Sequence, residues 1–371
     1  MKEWEEVLLT DVATKIGDGL HGTPKYDIGG DYYFINGNNL VSGKVVIKED
    51  TKRVNKSEYL KHSKPINERT LLLGINGTIG NVAYYKNEKC MLGKSACYIN
   101  VNDETDLQFI YYTLVNKDFQ NYIEGIATGT TILNVPLKGI REYTVKLPSL
   151  PEQRAIASIL SSLDDKIDLL HRQNATLEKM AETLFRQWFV EEAKEEWDEI
   201  NFGEFVTPKK GKNITKSEVV EGSYPVVAGG LEPSCYHIEA NTKSPVITIS
   251  ASGANAGYIR LYTTPVWSSD SSYIDESITP YVYFCYVFLK INQSKLTDKQ
   301  EGSAQPHIYP SHIMELDFMS YPESIIKVFE ESARPLFNKI KSNQTQIRTL
   351  TALRDTLLPK LMSGEVRVEP D

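Results

Sequence analysis

Cysteine and histidine are scarce in this sequence of 371 residues, which contains four cysteines and six histidines. Neither residue type forms the closely spaced pairs that bind zinc, so we expect reduced thiols and no metal site. No apolar run approaches the ~18–20 residues that span a bilayer, and the first residues do not resemble a signal peptide. These absences favour a cytoplasmic protein.

An excess of positive charge is missing as well, because the formal net charge is −8 at pH 7. Acidic residues argue against a nucleic-acid partner only where they lie in the segment that would contact it. Most of the excess acidity lies in residues 149–200, which leaves DNA binding open for the rest of the chain. The hydrophobic fraction of 41% is ordinary for a globular protein, and the length allows two or three domains.

Motifs for nucleotide chemistry are incomplete. The segment IGDGLHG (residues 16–22) fits G-x-G-x-x-G, but that fingerprint needs a helix to begin there, and Pro24 with a following glycine pair breaks any helix. The segment LGKS (residues 92–95) ends like a phosphate loop, yet Glu88 stands where the required glycine would be. No Pro-Pro dipeptide is present for the turn that an adenine methyltransferase needs. The sequence therefore predicts loops at these positions and no catalytic site.

The second half of the chain repeats the first half. The matching residues are Thr23-Pro24-Lys25 with Thr207-Pro208-Lys209, then Ile75, Asn81 and Tyr84 with Ile249, Asn255 and Tyr258, and finally Thr176-Leu177 with Thr349-Leu350. The order is collinear, with offsets of 184, 174 and 173 residues. A period this long indicates two copies of a domain with its connector.

Each copy changes character along its length. Short apolar runs separated by glycine predict strands and turns in residues 1–148 and 201–322, with a helical interval near residues 107–122. A long helix then follows in each copy. The apolar seam of the first helix contains Leu160, Leu163, Ile167, Leu170, Asn174, Leu177, Ala181, Leu184 and Trp188. The seam of the second contains Leu336, Ile340, Asn343, Ile347, Leu350, Arg354, Leu357 and Leu361.

Steps of three and four along both seams are typical of a coiled coil, and two matching seams in one chain can bury each other. Asn174 and Asn343 would then fix the register of the pair. An alternative is that two separate amphipathic helices each lie on their own domain.

Both helical segments carry the resemblance to a known family. The sequences LPSLPEQ (residues 147–153) and LFRQWF (residues 184–189), together with LLPKLMSGEV (residues 357–366), resemble the specificity subunit of a type I restriction–modification enzyme. The resemblance covers the whole chain. One departure is that residues 323–325 read Glu-Ser-Ile, without the Glu152-Gln153 pair of the first copy, so a partner contact made by that pair would have no counterpart.

The resemblance implies an α+β fold with two mixed α/β target-recognition domains in internal repeat, each followed by a long helix, the two helices pairing as an antiparallel coiled coil. The implied domains are 1–148 (target-recognition domain 1), 149–195 (central helix), 196–322 (target-recognition domain 2) and 323–371 (C-terminal helix). Each recognition domain would read one half of a bipartite DNA target, while the helices space the domains and dock the methyltransferase subunits.

The chain itself would be non-catalytic and would bind no cofactor. S-adenosylmethionine, ATP and magnesium would belong to the modification subunits and the restriction (translocase and nuclease) subunits, and double-stranded DNA would be the remaining partner. Two alternatives stay open from the residues: a stand-alone coiled-coil adaptor that does not act on DNA, and a nucleotide-using enzyme built on the glycine loop.

Candidate DNA contacts lie in the glycine-containing loops. They are His21, Thr23, Lys25, Lys209, Lys210, Lys212, Asn213, Gln305 and His307. Lysine and backbone amides would contact phosphates, and Gln305 could read adenine. The alternatives are a solvated lysine run and a structural turn at residues 302–307. Coiled-coil or subunit-interface candidates are Leu163, Ile167, Leu170, Asn174, Leu177, Leu184, Trp188, Ile340, Asn343, Ile347, Leu350 and Leu357. We also expect Trp188 and Phe189 to be exposed, which would make the subunit poorly soluble without its partners.

Overall fold

The computed structural model describes residues 4–193, 196–302 and 305–369. The chain divides into two compact units. Unit 1 comprises Met1–Asp168 and Arg348–Asp371, and unit 2 comprises Leu169–Ile347. Each unit therefore contains one strand-rich segment and a stretch of both long helices. The domain assignment made from the sequence stays a prediction, and its boundary at residue 195 lies outside the described residues.

Unit 1 is built from short strands and helices. Its strands are β1 (Glu5–Leu8), β2 (Ala13–Asp18), β3 (Tyr32–Ile35), β4 (Leu40–Val41), β5 (Lys44–Val45), β6 (Arg53–Val54), β7 (Thr70–Asn76), β8 (Thr78–Tyr84), β9 (Cys90–Leu92), β10 (Ala96–Val101) and β11 (Thr144–Leu147). Its helices are α1 (Lys56–His62), a 3-10 turn (Gly37–Asn39), α2 (Leu107–Val115), α3 (Lys117–Ile126), α4 (Leu137–Arg141) and the start of α5 (Leu150–Arg186).

Unit 2 continues with a similar series. A π-helical turn (Gln187–Glu191) follows α5. The strands are β12 (Glu199–Asn201), β13 (Lys209–Lys210), β14 (Tyr224–Val227), β15 (Cys235–His237), β16 (Val246–Ser250), β17 (Ile259–Tyr262), β18 (Trp267–Ser268), β19 (Ser271–Asp275) and β20 (Asp317–Met319). The helices are α6 (Phe202–Phe205), α7 (Val282–Ile291), α8 (Gln293–Thr297), α9 (Pro310–Met314) and α10 (Glu323–Ser363).

The sheets of the two units have the same topology. Unit 1 has an antiparallel sheet in the order β2-β10-β7-β8, and unit 2 has one in the order β13-β19-β16-β17. A three-stranded sheet with one parallel pair accompanies each, in the orders β6-β3-β9 and β15-β14-β18. The first and last strands of each segment also pair, as β1-β11 and β12-β20. The internal repeat is therefore present in the strand connectivity.

One central strand of each main sheet is fully buried, which explains why its sequence is largely apolar. Every residue of β10 and β16 is buried, as expected for continuous apolar runs at the centre of a sheet. The predicted helical interval at residues 107–122 is two helices, because α2 ends before Asn116 and α3 begins after it. Asp106 caps α2, since its carboxylate accepts a hydrogen bond from the backbone N–H of Phe109 at 2.9 Å.

Hydrogen bonds between strands correct two of the residue pairings made from the sequence. Val135 N–H donates to Ile75 C=O, and Ile308 N–H donates in the same way to Ala251 C=O. Ile75 therefore corresponds to Ala251, two residues beyond the Ile249 that the sequence comparison paired with it. Thr23-Pro24-Lys25 likewise does not correspond to Thr207-Pro208-Lys209. The matching loops that follow β2 and β13 are described below.

The two long helices run antiparallel in each unit. In unit 1, Glu152 pairs with Arg367 at 3.1 Å and Asp164 pairs with Arg354 at 2.8 Å. In unit 2, Asn343 donates a hydrogen bond to Asn174 at 2.9 Å. Further along α5, the Phe185 ring lies 5.6 Å from the ring of Phe329 on α10. The α+β fold class with a long helix after each strand-rich segment is confirmed.

The helices pack on the sheets as well as on each other. Leu177 and Leu184 contact the core of unit 2, and Leu357 contacts the core of unit 1. Each of the seam residues proposed as interface candidates is buried or half-buried: Leu163, Ile167, Leu170, Asn174, Leu177, Leu184, Trp188, Ile340, Asn343, Ile347, Leu350 and Leu357. The two arrangements considered from the sequence, paired helices and helices lying on their domains, thus occur together.

Candidate nucleic-acid interface

A glycine corner follows the first strand of the main sheet in each unit. At Gly19, a Cβ atom would collide with the carbonyl oxygens of Leu92 and Gly93, and at Gly211 it would collide with those of Ser268 and Ser269. Only glycine allows so close a backbone approach. These two glycines occupy the same place, so the strand β2 position equivalent to Lys209 is Gly17, two residues before the corner.

The residue after each corner bonds to the same neighbouring strand. Leu20 N–H donates to Leu92 C=O at 2.8 Å, and Lys212 N–H donates to Ser268 C=O at 2.9 Å. The chain after Leu20 continues through bends, a turn and an isolated bridge to strand β3, with no helix before residue 37. The G-x-G-x-x-G match therefore lacks the helix N-terminus that would bind a pyrophosphate.

A second pair of loops, here called the reading loops, lies beyond the β7–β8 and β16–β17 hairpins. They are residues 128–134 in unit 1 and, among the described residues of unit 2, residues 301–302 and 305–307. Thr128 and Asn134 exchange two backbone hydrogen bonds of 2.9 and 2.8 Å. Glu301 and His307 exchange two of 3.1 and 2.8 Å. Both loops are therefore closed by the same doubly bonded pair of residues.

Glycine fixes the next residue of each reading loop. Gly129 has φ of 105° and Gly302 has φ of 93°, a region that other residues rarely adopt. Each loop is also tied to the hairpin beside it. Gly77 N–H donates to Leu133 C=O at 2.9 Å, and Gly253 N–H donates to Pro306 C=O at 3.0 Å.

Backbone hydrogen bonds connect the glycine corner of unit 2 to its reading loop. Beyond the bond from Lys212 to Ser268, Ala251 N–H donates to Asp270 C=O at 3.1 Å. The next residues along the hairpin lead to Gly253, which bonds Pro306. The lysine-bearing corner and the Gln305 loop are thus linked through neighbouring backbone segments, which are here called the edge of unit 2.

Unit 1 has the corresponding edge. Leu20 forms a bridge to Gly93, and Ile75 N–H donates to Ser95 C=O at 2.9 Å within the hairpin strand. The hairpin tip then bonds to Leu133. Lys94 lies in the turn of this edge and is exposed. Sequence reasoning did not include Lys94 among the candidate contacts, because LGKS was considered only as a phosphate loop.

The proposed DNA contacts of unit 1 lie in the loop after β2. His21 is exposed, and its ring Nε2 lies 2.6 Å from the carboxylate of Asp18. Thr23 and Lys25 are exposed, and the backbone N–H of Lys25 donates to Glu58.

The proposed contacts of unit 2 lie on the edge strand and the two loops. Lys209 and Lys210 form the exposed edge strand β13, and the ammonium of Lys212 lies 6.0 Å from the centre of the Trp267 ring. Asn213 and Gln305 are exposed. The half-buried His307 stacks on Tyr309 with ring centres 6.0 Å apart, which leaves its ring constrained by a neighbour. Direct DNA contact by these residues stays a prediction.

The side chains of Trp188 and Phe189, just after α5, are less exposed than the sequence predicted. Phe189 is 2% exposed and lies within the aromatic core of unit 2. Trp188 is half-buried, with its ring 6.1 Å from that of Phe329. The expectation that both side chains are exposed was wrong, because the π-helical turn after α5 directs them onto the core.

Glu152 and Gln153 have partners inside unit 1. Gln153 is 2% exposed, accepts a hydrogen bond from Asp106 N–H at 2.9 Å and donates to Pro148 C=O at 2.9 Å. Glu152 pairs with Arg367, whose guanidinium lies over the ring of Trp4. The pair absent from the second copy therefore has a structural role in the first.

The part of the chain that the structure describes contains neither a candidate metal site nor a candidate membrane-spanning helix. No group of three or more histidine, cysteine or acidic side chains is placed to hold a metal ion there. Within the same residues, no helix combines the length and hydropathy needed to span a bilayer. The LGKS segment forms a strand and a turn, and the Ser95 hydroxyl donates to Asn36 at 2.7 Å.

Comparison with known proteins agrees with this arrangement. Residues 1–179 match the model described as the type I restriction modification DNA specificity domain. The type I restriction enzyme MjaIX specificity subunit of Methanocaldococcus jannaschii is 27% identical over 99% of this chain and 94% of its own length. A protein of Mycoplasma genitalium named as a type I specificity subunit is 29% identical over 79% of this chain and 81% of its own length. The chain is therefore similar over almost its whole length to type I specificity subunits, and its first 179 residues match their DNA specificity domain.

A solved structure shares the fold of this chain. The crystal structure of a type I restriction–modification system S subunit from M. genitalium covers 96% of both chains, with a TM-score of 0.62 at 23% identity. The fold that the resemblance implied is therefore confirmed.

Proposed function

We propose that this chain is the sequence-specific DNA-binding subunit of a type I restriction–modification complex, with each unit reading one half of a bipartite target. The observation that carries the proposal is the repeated edge. Both units present a glycine corner and a reading loop on the same strands, and unit 2 adds three exposed lysines to its corner. Two copies of one surface in one chain suit a target with two separate parts.

The long helices are proposed to hold the two recognition domains at a fixed spacing and to dock the methyltransferase subunits. Their antiparallel contacts include the Asn174–Asn343 hydrogen bond and the Asp164–Arg354 ion pair. An asparagine pair in an otherwise apolar seam sets register, which a spacer needs.

The chain is proposed to be non-catalytic and to act in the cytoplasm. Methyl transfer with S-adenosylmethionine, and translocation and cleavage with ATP and magnesium, would be carried out by modification and restriction subunits. Incubation of the purified chain with labelled S-adenosylmethionine and DNA should give no labelled adenine. Reproducible label without a partner subunit would contradict this part of the proposal.

The test of DNA binding uses the lysines at the corner of unit 2. In the complex assembled with modification subunits, changing Lys209, Lys210 and Lys212 together to alanine should weaken DNA binding. Each lost phosphate contact lowers the slope of log K against log salt by ~0.9, so three contacts would lower it by about 2.7. Titrations at several salt concentrations measure this slope.

The control is a triple variant of other lysines in the same unit, Lys243, Lys295 and Lys299, of which the last two form ion pairs with acidic side chains. Its slope should stay close to that of the wild type. If both triple variants keep the wild-type slope, the corner lysines do not contact phosphates. If the wild-type complex shows no salt-dependent DNA binding, the adaptor function replaces the one proposed here.

A further inference from the structure

The reading loops place one residue of each unit at an equivalent exposed position. Ile132 and Gln305 each come three residues after the positive-φ glycine of their loop and directly before the residue whose carbonyl accepts from the hairpin glycine. A Cβ atom at Gly129 would collide with the Ile132 carbonyl, and one at Gly302 would approach the Gln305 carbonyl at 2.7 Å. Ile132 and Gln305 therefore hold equivalent positions relative to the glycine and to the hairpin bond of their loops.

The two side chains at this position are chemically opposite. Ile132 is apolar and 61% exposed, and the next residue, Leu133, is 42% exposed. Gln305 is an exposed amide. Large apolar side chains are more stable when their surface is removed from water. Two of them exposed side by side on a loop therefore favour contact with another molecule.

Both positions lie on the edge that carries the candidate phosphate contacts. In unit 2, the edge runs from Lys212 to the Gln305 loop, and in unit 1 it runs from Leu20 past Lys94 to the Ile132 loop. A surface held on the backbone of DNA by its cations brings such a loop tip toward the base edges.

We propose that Ile132 and Gln305 are the equivalent base-reading positions of the two units, with Ile132 reading a thymine methyl group and Gln305 reading an adenine. This inference rests on the proposed function. In the major groove, thymine presents a methyl group that apolar side chains contact, and adenine presents the N6/N7 pair that a glutamine amide bonds with two hydrogen bonds. The same loop position, with a different side chain in each unit, would thus recognise two different half-sites.

The first experiment changes each position in cells that also carry the modification subunits, and sequences the methylome. Ile132→Gln should alter one position in one half of the bipartite motif and leave the other half unchanged. Gln305→Ile should alter only the opposite half. Each change should shift the preference between the old and new base roughly five- to hundredfold, the range of one good base contact.

A matched control tests whether loss of exposed apolar surface is enough. Leu60 on α1 is 63% exposed, close to the 61% of Ile132, and lies outside the reading loops. Leu60→Gln should leave the motif unchanged. Because Ile132 is largely in solvent, Ile132→Gln should also keep the wild-type melting temperature, and Ile132→Ala provides a second variant that only removes the apolar contact.

The second experiment isolates the methyl group. Replacing the thymine read by unit 1 with deoxyuridine should weaken binding by the wild-type complex about fourfold, the worth of roughly one buried carbon, and should not affect the Ile132→Gln complex. Intact specific binding with an unchanged motif in Ile132→Gln, and no effect of deoxyuridine, would overturn this inference alone. Absence of sequence-specific binding by the wild-type complex would overturn the proposed function and this inference with it.

Discussion

Glu330 makes the stability of unit 2 depend on pH near neutrality. This carboxylate on α10 is 3% exposed and accepts a hydrogen bond from Phe284 N–H, in the first turn of α7, at 2.9 Å. Burial raises the pKa of Glu330 to about 7, although the bonds from the backbone N–H groups of Phe284 and Tyr283 and the charge of Arg334 lower it, and Glu276 raises it further.

The sign of the effect follows from proton binding. The folded state holds the Glu330 proton more tightly than the unfolded state, where the carboxyl has its ordinary pKa of 4.5. Its contribution to stability is therefore fully present below about pH 4.5 and is lost as the pH rises through about 7. The difference of about 2.5 pH units corresponds to roughly 3 kcal/mol.

Glu330→Gln should remove this pH dependence. The amide keeps an oxygen that can accept from Phe284 N–H and has no charge to desolvate. At pH 8 the variant should be more stable than the wild type by roughly 3 kcal/mol, or about 6–12 °C in melting temperature for a unit of this size. At pH 5 the two proteins should melt within a few degrees of each other.

Unit 1 supplies the reciprocal variant, because Gln153 on α5 accepts from Asp106 N–H at the start of α2. Gln153→Glu should create a buried carboxyl whose destabilising effect grows as the pH rises, and it should also lose the bond donated to Pro148 C=O. Thermal unfolding of the three proteins between pH 5 and 8 measures both effects. Parallel curves for wild type and Glu330→Gln across this range would refute the reasoning.

Three further predictions concern the long helices. Arg354→Ala removes the ion pair with Asp164, whose carboxylate also accepts a hydrogen bond from a tyrosine hydroxyl. The free energy of unfolding, measured in denaturant titrations, should fall by roughly 1–3 kcal/mol. An unchanged value would contradict a structural role for the pair. Asn343→Leu alone should lower the free energy of unfolding by roughly 1–3 kcal/mol, because it leaves Asn174 without its partner, whereas adding Asn174→Leu should restore stability. A double-mutant cycle that shows no coupling between the two positions would contradict their role in setting the register. Deleting one heptad from each helix at matched positions removes ~10 Å, so methylome sequencing should show an unread spacer shorter by ~3 base pairs, and an unchanged spacer would show that the helices do not set it.

The long helices and the repeat were accessible from the sequence because they depend on periodic burial. A seam with steps of three and four is visible wherever the helix is long, and the interface candidates on it are buried or half-buried. The start of α10 at Glu323 coincides with the change from strand-rich to heptad sequence. The burial of Gln153 was not accessible from the sequence, since its partner Asp106, 47 residues earlier, is brought to it only by the packing of α2 on α5.

The alignment of the two copies failed where loops differ in length. The sequence comparison paired the two copies by three identical residues, Thr-Pro-Lys, and not by the single glycine at each corner. The backbone requires the glycine. Gly19 and Gly211 each lie against two carbonyl oxygens, whereas the side chains of Lys25 and Lys209 are exposed. Contacts between backbones, which leave little trace in side-chain identity, decide which positions correspond.

This distinction explains how one duplicated fold can recognise two different sequences. The positions that shape the edge, such as Gly19 with Gly211 and Gly129 with Gly302, keep the residue that the backbone needs in both units. The side chains that those positions present are under no such restraint, and they differ as isoleucine differs from glutamine. Because phosphate contacts carry position and base contacts carry sequence, changes at the exposed positions would, under the proposed function, alter the target without altering the fold. An asymmetric bipartite target is therefore the expected outcome when the loops of the two copies diverge while their glycine framework is retained.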